Sequence, residues 1–441
     1  MPVLTRETGP RDATRATRAT WATPATRVTR PALGPGPDRR ERGAESGAGS
    51  GAGFWIVGFA FAVAMAFSTV PAPLYVLYQA RDHFGALLVT VVFAAYAVGV
   101  IASLFLAGHV SDWLGRRRIA AVALITNMLS GLIFLTLPSV PGLIAGRVIC
   151  GISIGMLTAT ATAYLSELHA AARPGHPQAR AEITATAANL GGLGLGTLLA
   201  GLLAQYAWAP LRLPYLVTEA LLLAAVLGLA LTPETVERPR SRPRYRPQRV
   251  SVPAEHRSLF YAAGFAAAAE FALFGLFTSL APGFIGGVLH QHSHALAGFA
   301  AFVVFGAAAL TQIVVSRAAL RRQLSIGFSA LAIGLVLVTI AVWLPSLVLL
   351  LIGGALAGGG AGAAFKGSIS TVISIAPDQA RGEVLAGLFL AAYIGLVVPV
   401  LGLGIATQLL STQVAVLGFA AVLLLVVGAV SVKLLRRPAG R

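Results

Sequence analysis

Charged side chains are scarce in this chain. They make up 11% of its 441 residues while hydrophobic residues supply 56%, and a soluble domain carries about 25% charge. That shortage excludes a water-soluble globular protein. Cysteine is almost missing too: the single Cys150 rules out an internal disulfide and a cysteine metal cluster. No GxxxxGK[ST] phosphate loop is present, so ATP does not drive the protein's work. The apolar stretches hold no histidine-rich, paired-aspartate or nucleophile–base grouping, which argues against an enzyme and calls for no cofactor and no metal. Lysine is nearly absent beside arginine, which we attribute to a GC-rich coding bias.

What the chain has instead is long apolar runs. Twelve windows are each about 20 residues long, the length a helix needs to cross some 30 Å of hydrocarbon. The expected fold class is an all-α membrane protein of twelve transmembrane helices in two six-helix repeats. The predicted organisation is a disordered cytoplasmic tail over 1–53, a six-helix bundle over 54–231, a cytoplasmic linker over 232–257, a second bundle over 258–432 and a tail over 433–441. The first tail is a low-complexity Ala/Thr/Arg repeat with too few large apolar side chains to offset its ordering entropy, and it lacks the pattern of a signal peptide. The linker is rich in proline and arginine. QARAE (Gln178 to Glu182) and QARGE (Gln379 to Glu383) recur at nearly the spacing of the halves, as two parallel repeats would place them.

A net charge of +17 suggests nucleic acid until it is set on this topology. With both termini cytoplasmic, all but four of the 33 basic residues fall inside; Arg81 and Arg212 fall outside, and Arg147 and Lys366 lie within spans. This is the positive-inside bias of a multi-pass protein of the plasma (inner) membrane. The lipid bilayer is the partner, and nucleic acid is not.

Ionisable groups inside spans are costly and default to functional candidates. There are four: Arg147, Glu219, Glu270 and Lys366. Arg147, Gly151 and Gly155 recur every four residues, as do Gly354, Gly358, Gly362 and Lys366, so each set shares a helix face where another helix can approach closely. Both cations should therefore face protein or cavity rather than lipid. Glu219 lies near the start of span six, within reach of the interface. Glu270 sits near the middle of span seven among alanines and phenylalanines, where burial disfavours a charged carboxylate. It is the candidate carrier of a coupling proton, with Phe274 and Phe277 on the same face as an aromatic wall. The competing arrangement is a structural ion pair between Glu270 and Lys366.

Weaker features complete the reading. Ala188, Gly192, Gly196 and Ala200 form a small-residue stripe in span five, expected to pack the two halves together. Pro71 and Pro73 predict a bend in span one. His290, His292 and His294 could offer alternate imidazoles to a metal, but no carboxylate accompanies them, and a plain loop is the stronger reading.

Between spans two and three runs GHVSDWLGRRR, Gly108 to Arg118. Glycines suit a short turn, and the arginines hold it on the cytoplasmic side. Asp112 lies near the face where span eleven begins, so its carboxylate could meet a positive helix N-terminus. The stretch resembles the loop motif of the major facilitator superfamily at Gly108, Asp112, Gly115, Arg116 and Arg117. AGRVICGISIG in span four is similar to another of that family's motifs, and TVPAPLYVLY and PETV resemble little-characterised members from high-GC bacteria. The departures are Trp113, where a basic residue is usual, and SRAALRRQ (Ser316 to Gln323), which keeps arginines without the aspartate. NLGGLGLGTLLAG in span five lacks the proline found there in drug exporters.

The resemblance implies a secondary transporter, acting as a monomer, that moves a small-molecule substrate by alternating access. It also implies that Asp112 helps latch the cytoplasmic side, and that helices one, four, seven and ten line a central cavity, which places Glu270 opposite the span carrying Lys366. Proton-coupled export of a small amphiphilic or hydrophobic compound is the first expectation. Proton-coupled uptake of a small metabolite is the alternative within the class, and a membrane sensor or scaffold without transport is the alternative outside it.

Overall fold

The computed structural model describes residues 37–107, 110–236, 248, 252, 254–377 and 381–436, and of 37–48 the backbone alone. Gly108, Gln379, residues 1–36, most of the linker and the last five residues lie outside the described residues. The chain divides into two compact units, Met1–Ala44 and Glu45–Arg441, and the second contains all the spans.

Twelve helices are long and apolar enough to cross a membrane: Gly49–Asp82, Ala86–Ala107, Arg116–Thr136, Val140–Ala172, Ala179–Tyr206, Leu213–Ala230, Ala254–Ser279, His294–Arg317, Leu320–Trp343, Leu347–Ile375, Arg381–Leu409 and Thr412–Leu435. They are spans one to twelve below. The expected number holds. Large apolar side chains such as Leu227, Ile333 and Leu425 point outward, as helices solvated by lipid require. Helical backbone begins at Pro37, well inside the stretch expected to be disordered to residue 53. Proline suits a first helical position, and the Arg, Glu and Ala that follow are adequate helix formers. At the other end the helix continues to Leu435, past the expected boundary at 432.

Span one is broken where its prolines predict. One helix ends at Thr69 and the next begins at Pro71, because proline cannot supply the backbone N–H that would continue the ladder. Thr69 Oγ1 bridges the break by reaching both Ala66 O at 3.0 Å and Leu193 O of span five at 2.7 Å.

The glycine stripes mark close helix crossings. A side chain at Gly151 would run into the Tyr96 carbonyl of span two, and one at Gly358 into the Val304 carbonyl of span eight. Small residues let backbones approach to this distance, where dispersion and weak polar contacts replace the hydrophobic drive that lipid cannot supply. The stripe in span five needs correction. Gly192 and Gly196 press on Ala62 and Ala66 of span one, inside the same half; Gly194 and Gly201, on another face, meet Phe302 and Gly298 of span eight. Periodicity identifies a buried face but not which helix covers it. A second seam between the halves joins spans two and eleven, where Gly404 packs on Thr90. The helix of span five also carries a π-type turn over Ala187–Gly191, which itself packs against span eight.

Candidate functional site

The face carrying the linker is the linker face, and the opposite side the far face. Three cavities lie between the halves. A far-face cavity of about 770 Å³ is bordered by Gln79, Phe277 and Thr407. A central cavity of about 70 Å³ is lined from one half by Ser68, Phe93, Tyr96 and Arg147, and from the other by Phe271, Phe274, Phe305 and Tyr393. A linker-face cavity of about 490 Å³ lies between spans two, four and eleven. Tyr393 lines both the central and the linker-face cavity, and its hydroxyl lies within reach of Tyr96.

Arg147 lines the central cavity. Its side chain is 3% exposed, and its position follows from the stripe it shares with Gly151 and Gly155 against span two. Nη1 donates to the Ser68 carbonyl at 2.6 Å, a carbonyl on the last turn before the break in span one. The guanidinium carbon lies 4.7 Å from the Tyr96 ring centre and 5.5 Å from that of Phe93, both within cation–π range. Its Nε has no partner, and none of the described ion pairs includes it.

Glu270 is fully buried, with no hydrogen-bond partner for either carboxyl oxygen. It is not among the residues lining the central cavity. Its face is shared with Phe274, which stacks on Phe305 of span eight at 5.0 Å, and with Phe277, which lies against Gly354 of span ten. The acid therefore points into its own half, one helical turn from a cavity-lining ring. Lys366 does not pair with it. Lys366 Nζ reaches Glu182 Oε2 of span five at 3.4 Å, a contact that crosses between halves and takes the place of the alternative ion pair with Glu270. The cation sits near the linker-face end of its span, and the nearest carboxylate there belongs to the other half. Phe274 lines the central cavity, whereas Phe277 lines the far-face one. Glu219 folds against Gly131 of span three, with one buried oxygen unpaired, instead of reaching the interface.

The loop after span two is wired within its own half. Gly115 adopts φ of 105°, a conformation that favours glycine, and a side chain there would strike the Glu234 carboxylate. Glu234 Oε1 instead accepts the backbone N–H of Arg116 at 2.8 Å, placing negative charge at the start of span three. The Arg116 side chain bridges Asp112 at 2.5 Å and Glu167 of span four at 3.0 Å. Arg117 Nη1 donates to the Thr232 carbonyl just past span six. Asp112 thus pairs with Arg116, and it shares the linker-face cavity with Gly382 near the N-terminus of span eleven. The pair follows from spacing, since Arg116 lies four residues on, facing the same side. Among the described residues no group of three or more His, Cys, Asp or Glu converges to hold a metal; the His294 backbone N–H is taken by Gln205, and His292 borders the far-face cavity.

Nothing in the sequence marks Tyr96, Tyr393, Phe93 and Phe305, because aromatic residues in a span carry no sign of which neighbour they meet. Glu234 does carry a signal: it belongs to the PETV after span six.

A family model described as Major Facilitator Superfamily matches residues 55–344. The chain belongs to the major facilitator superfamily. This transporter is similar in structure to the human organic anion transporter MFSD10 (TETRAN), with TM-score 0.64 and 18% identity over 86% of this chain and 99% of that one. It is also similar to a point mutant of the nucleoside transporter NupG, with TM-score 0.65 and 13% identity over 87% of this chain and all of that one. At these identities the likeness is one of fold. No curated protein shows significant similarity to the chain. The protein is thus a multi-pass secondary transporter of a small-molecule substrate, and not an enzyme.

Proposed function

We propose that this transporter exports a small amphiphilic or hydrophobic compound across the plasma (inner) membrane in exchange for protons, as a monomer with the linker and both termini in the cytoplasm. The observation that carries the coupling is Glu270. A carboxylate with neither counter-ion nor hydrogen-bond donor is among the costliest groups to bury, so this packing suits the acid with its proton on. Phe274, one turn along, borders the central cavity, so a rearrangement of span seven that accompanies substrate movement would change what Glu270 faces. Arg147, Phe274 and Phe277 border the substrate path, and Lys366 bridges the halves at its linker-face end. Export is supported by the linker-face cavity, where Leu104, Leu385 and Phe389 offer apolar walls to an amphiphile arriving from that side.

The orientation rests on the arginines of the linker face, Arg116, Arg117, Arg118, Arg321 and Arg322 among them, against Arg81 and Arg212 on the far face. The loop with Asp112, Gly115, Arg116 and Arg117 acts as a conformational latch by fixing the linker-face ends of spans three, four and six; Gly108 belongs to the same motif. Inverted vesicles with and without a pH gradient test the coupling. Glu270→Gln should lose gradient-driven accumulation while keeping substrate exchange, and full gradient-driven transport by that variant would refute the coupling role.

A further inference from the structure

We infer that Arg147 is the anion-binding group of the substrate site and that the substrate class is a small amphiphilic monoanion, its carboxylate head on the guanidinium and its flat or apolar body toward the linker face. This rests on the central cavity being the substrate path. Three observations converge on it. First, the cavity holds one cation and no acid, and the cation belongs to none of the described ion pairs. A buried charge of this kind is stable only when paired and hydrogen-bonded, and what the described residues supply is a carbonyl and two ring faces. Second, the Nε–H of Arg147, wholly shielded from solvent, has no acceptor. A guanidinium offers its donors as a planar fork that matches a carboxylate, so an anionic head would satisfy the orphaned donor and the unpaired charge together.

Third, the walls and dimensions suit the rest of such a molecule. Phe274 and Phe305 stand stacked, with planes 14° apart, and Phe271 meets Tyr393 edge-on at 5.4 Å. A flat body fits among rings of this kind. The central cavity, about 70 Å³, has room for a head group or about two waters. The body must continue past Tyr393 into the linker-face cavity of about 490 Å³, within the range of small-molecule sites. Tyr393 borders both cavities, and its movement would join the two. A cationic ligand meets the opposite situation, a fixed positive charge with no carboxylate beside it.

Binding to the purified full chain in nanodiscs tests this without reference to flux, using 4-phenylbutyrate, 4-phenylbutyramide and 4-phenylbutylamine as matched probes. The carboxylate should bind about tenfold to a hundredfold more tightly than the amide, the advantage of a charge-assisted hydrogen bond, and the amine weakest of all. Arg147→Gln should erase the preference, and Arg147→Lys should keep part of it, since an ammonium retains the charge and loses the fork. The selectivity of the unmodified protein decides the matter even if a variant fails to fold. Amine or amide binding as tightly as the carboxylate, no carboxylate binding at millimolar concentration, or an unchanged preference in Arg147→Gln would each overturn the assignment. A probe that binds as expected but is not moved by a pH gradient would count against proton coupling and leave the anion site standing.

Discussion

Among the described residues, Arg147 in the first half and Glu270 in the second are the most deeply buried acidic or basic side chains of the spans, and the two are treated in opposite ways. Arg147, in the first half, has a carbonyl at 2.6 Å and two aromatic faces, and it opens on the cavity between the halves. Glu270, in the second half, has nothing to accept from and faces the interior of its own bundle. A partly satisfied cation in a shared cavity is suited to meeting a ligand. An unsatisfied acid behind the cavity wall is suited to responding when the wall moves. The halves thus divide the work of binding and coupling, although their helices repeat the same architecture.

The division predicts opposite effects on stability when either charge is replaced by a similar-sized apolar side chain. Arg147→Met should destabilise the purified protein by about 1–3 kcal/mol, because the Ser68 carbonyl and the aromatic contacts lose their partner. Glu270→Met should be neutral or stabilising by a similar amount, since no contact is lost and an orphaned polar group goes. Thermal unfolding in detergent, followed by size-exclusion chromatography, measures both. Equal losses would show that Glu270 has a structural partner and would break the comparison.

The linker-face loops give a second, smaller contrast. In the first half Arg116 joins Asp112 and Glu167 while Glu234 receives its backbone N–H. In the second half the corresponding loop is held by neutral side chains, chiefly Gln323, which donates to Val315 O at 3.1 Å and Ala318 O at 3.0 Å. Arg116→Ala should lower stability by about 1–2 kcal/mol, and Gln323→Ala by about 1 kcal/mol, in the same unfolding assay. Asp112→Asn, whose side chain is 59% exposed, should leave stability within about 0.5 kcal/mol while shifting labelling accessibility toward the linker-face-open form. Unchanged accessibility in a Cys150→Ala background would remove Asp112 from the latch.

The smallest effect belongs to the contact between halves. The Lys366–Glu182 pair is half-exposed at 3.4 Å, so Lys366→Gln should cost less than about 1 kcal/mol yet raise labelling at linker-face positions such as Ser166. No change in labelling would mean that the pair does not hold the halves together there.

Much of this architecture was legible in the sequence because membrane solvation imposes it. Span length and the break at Pro71 each follow from backbone satisfaction in hydrocarbon. The stripes of Arg147 and Gly358 were legible as faces. Their partners were not: the face of Gly192 and Gly196 meets span one and not the other half, since periodicity carries no address. Lys366 found Glu182, 184 residues away in sequence, and only the folded arrangement brings them together. Tyr96 and Tyr393 were invisible as a pair for the same reason.

The most direct test sets the two charges side by side in proteoliposomes, with a substrate identified in inverted vesicles. Counterflow, which needs binding and conformational exchange but no net proton movement, is measured beside accumulation driven by a pH gradient. The division of work predicts that Glu270→Gln retains counterflow and loses gradient-driven accumulation, whereas Arg147→Gln loses both. Gradient-driven accumulation intact in Glu270→Gln, or counterflow intact in Arg147→Gln, would contradict it.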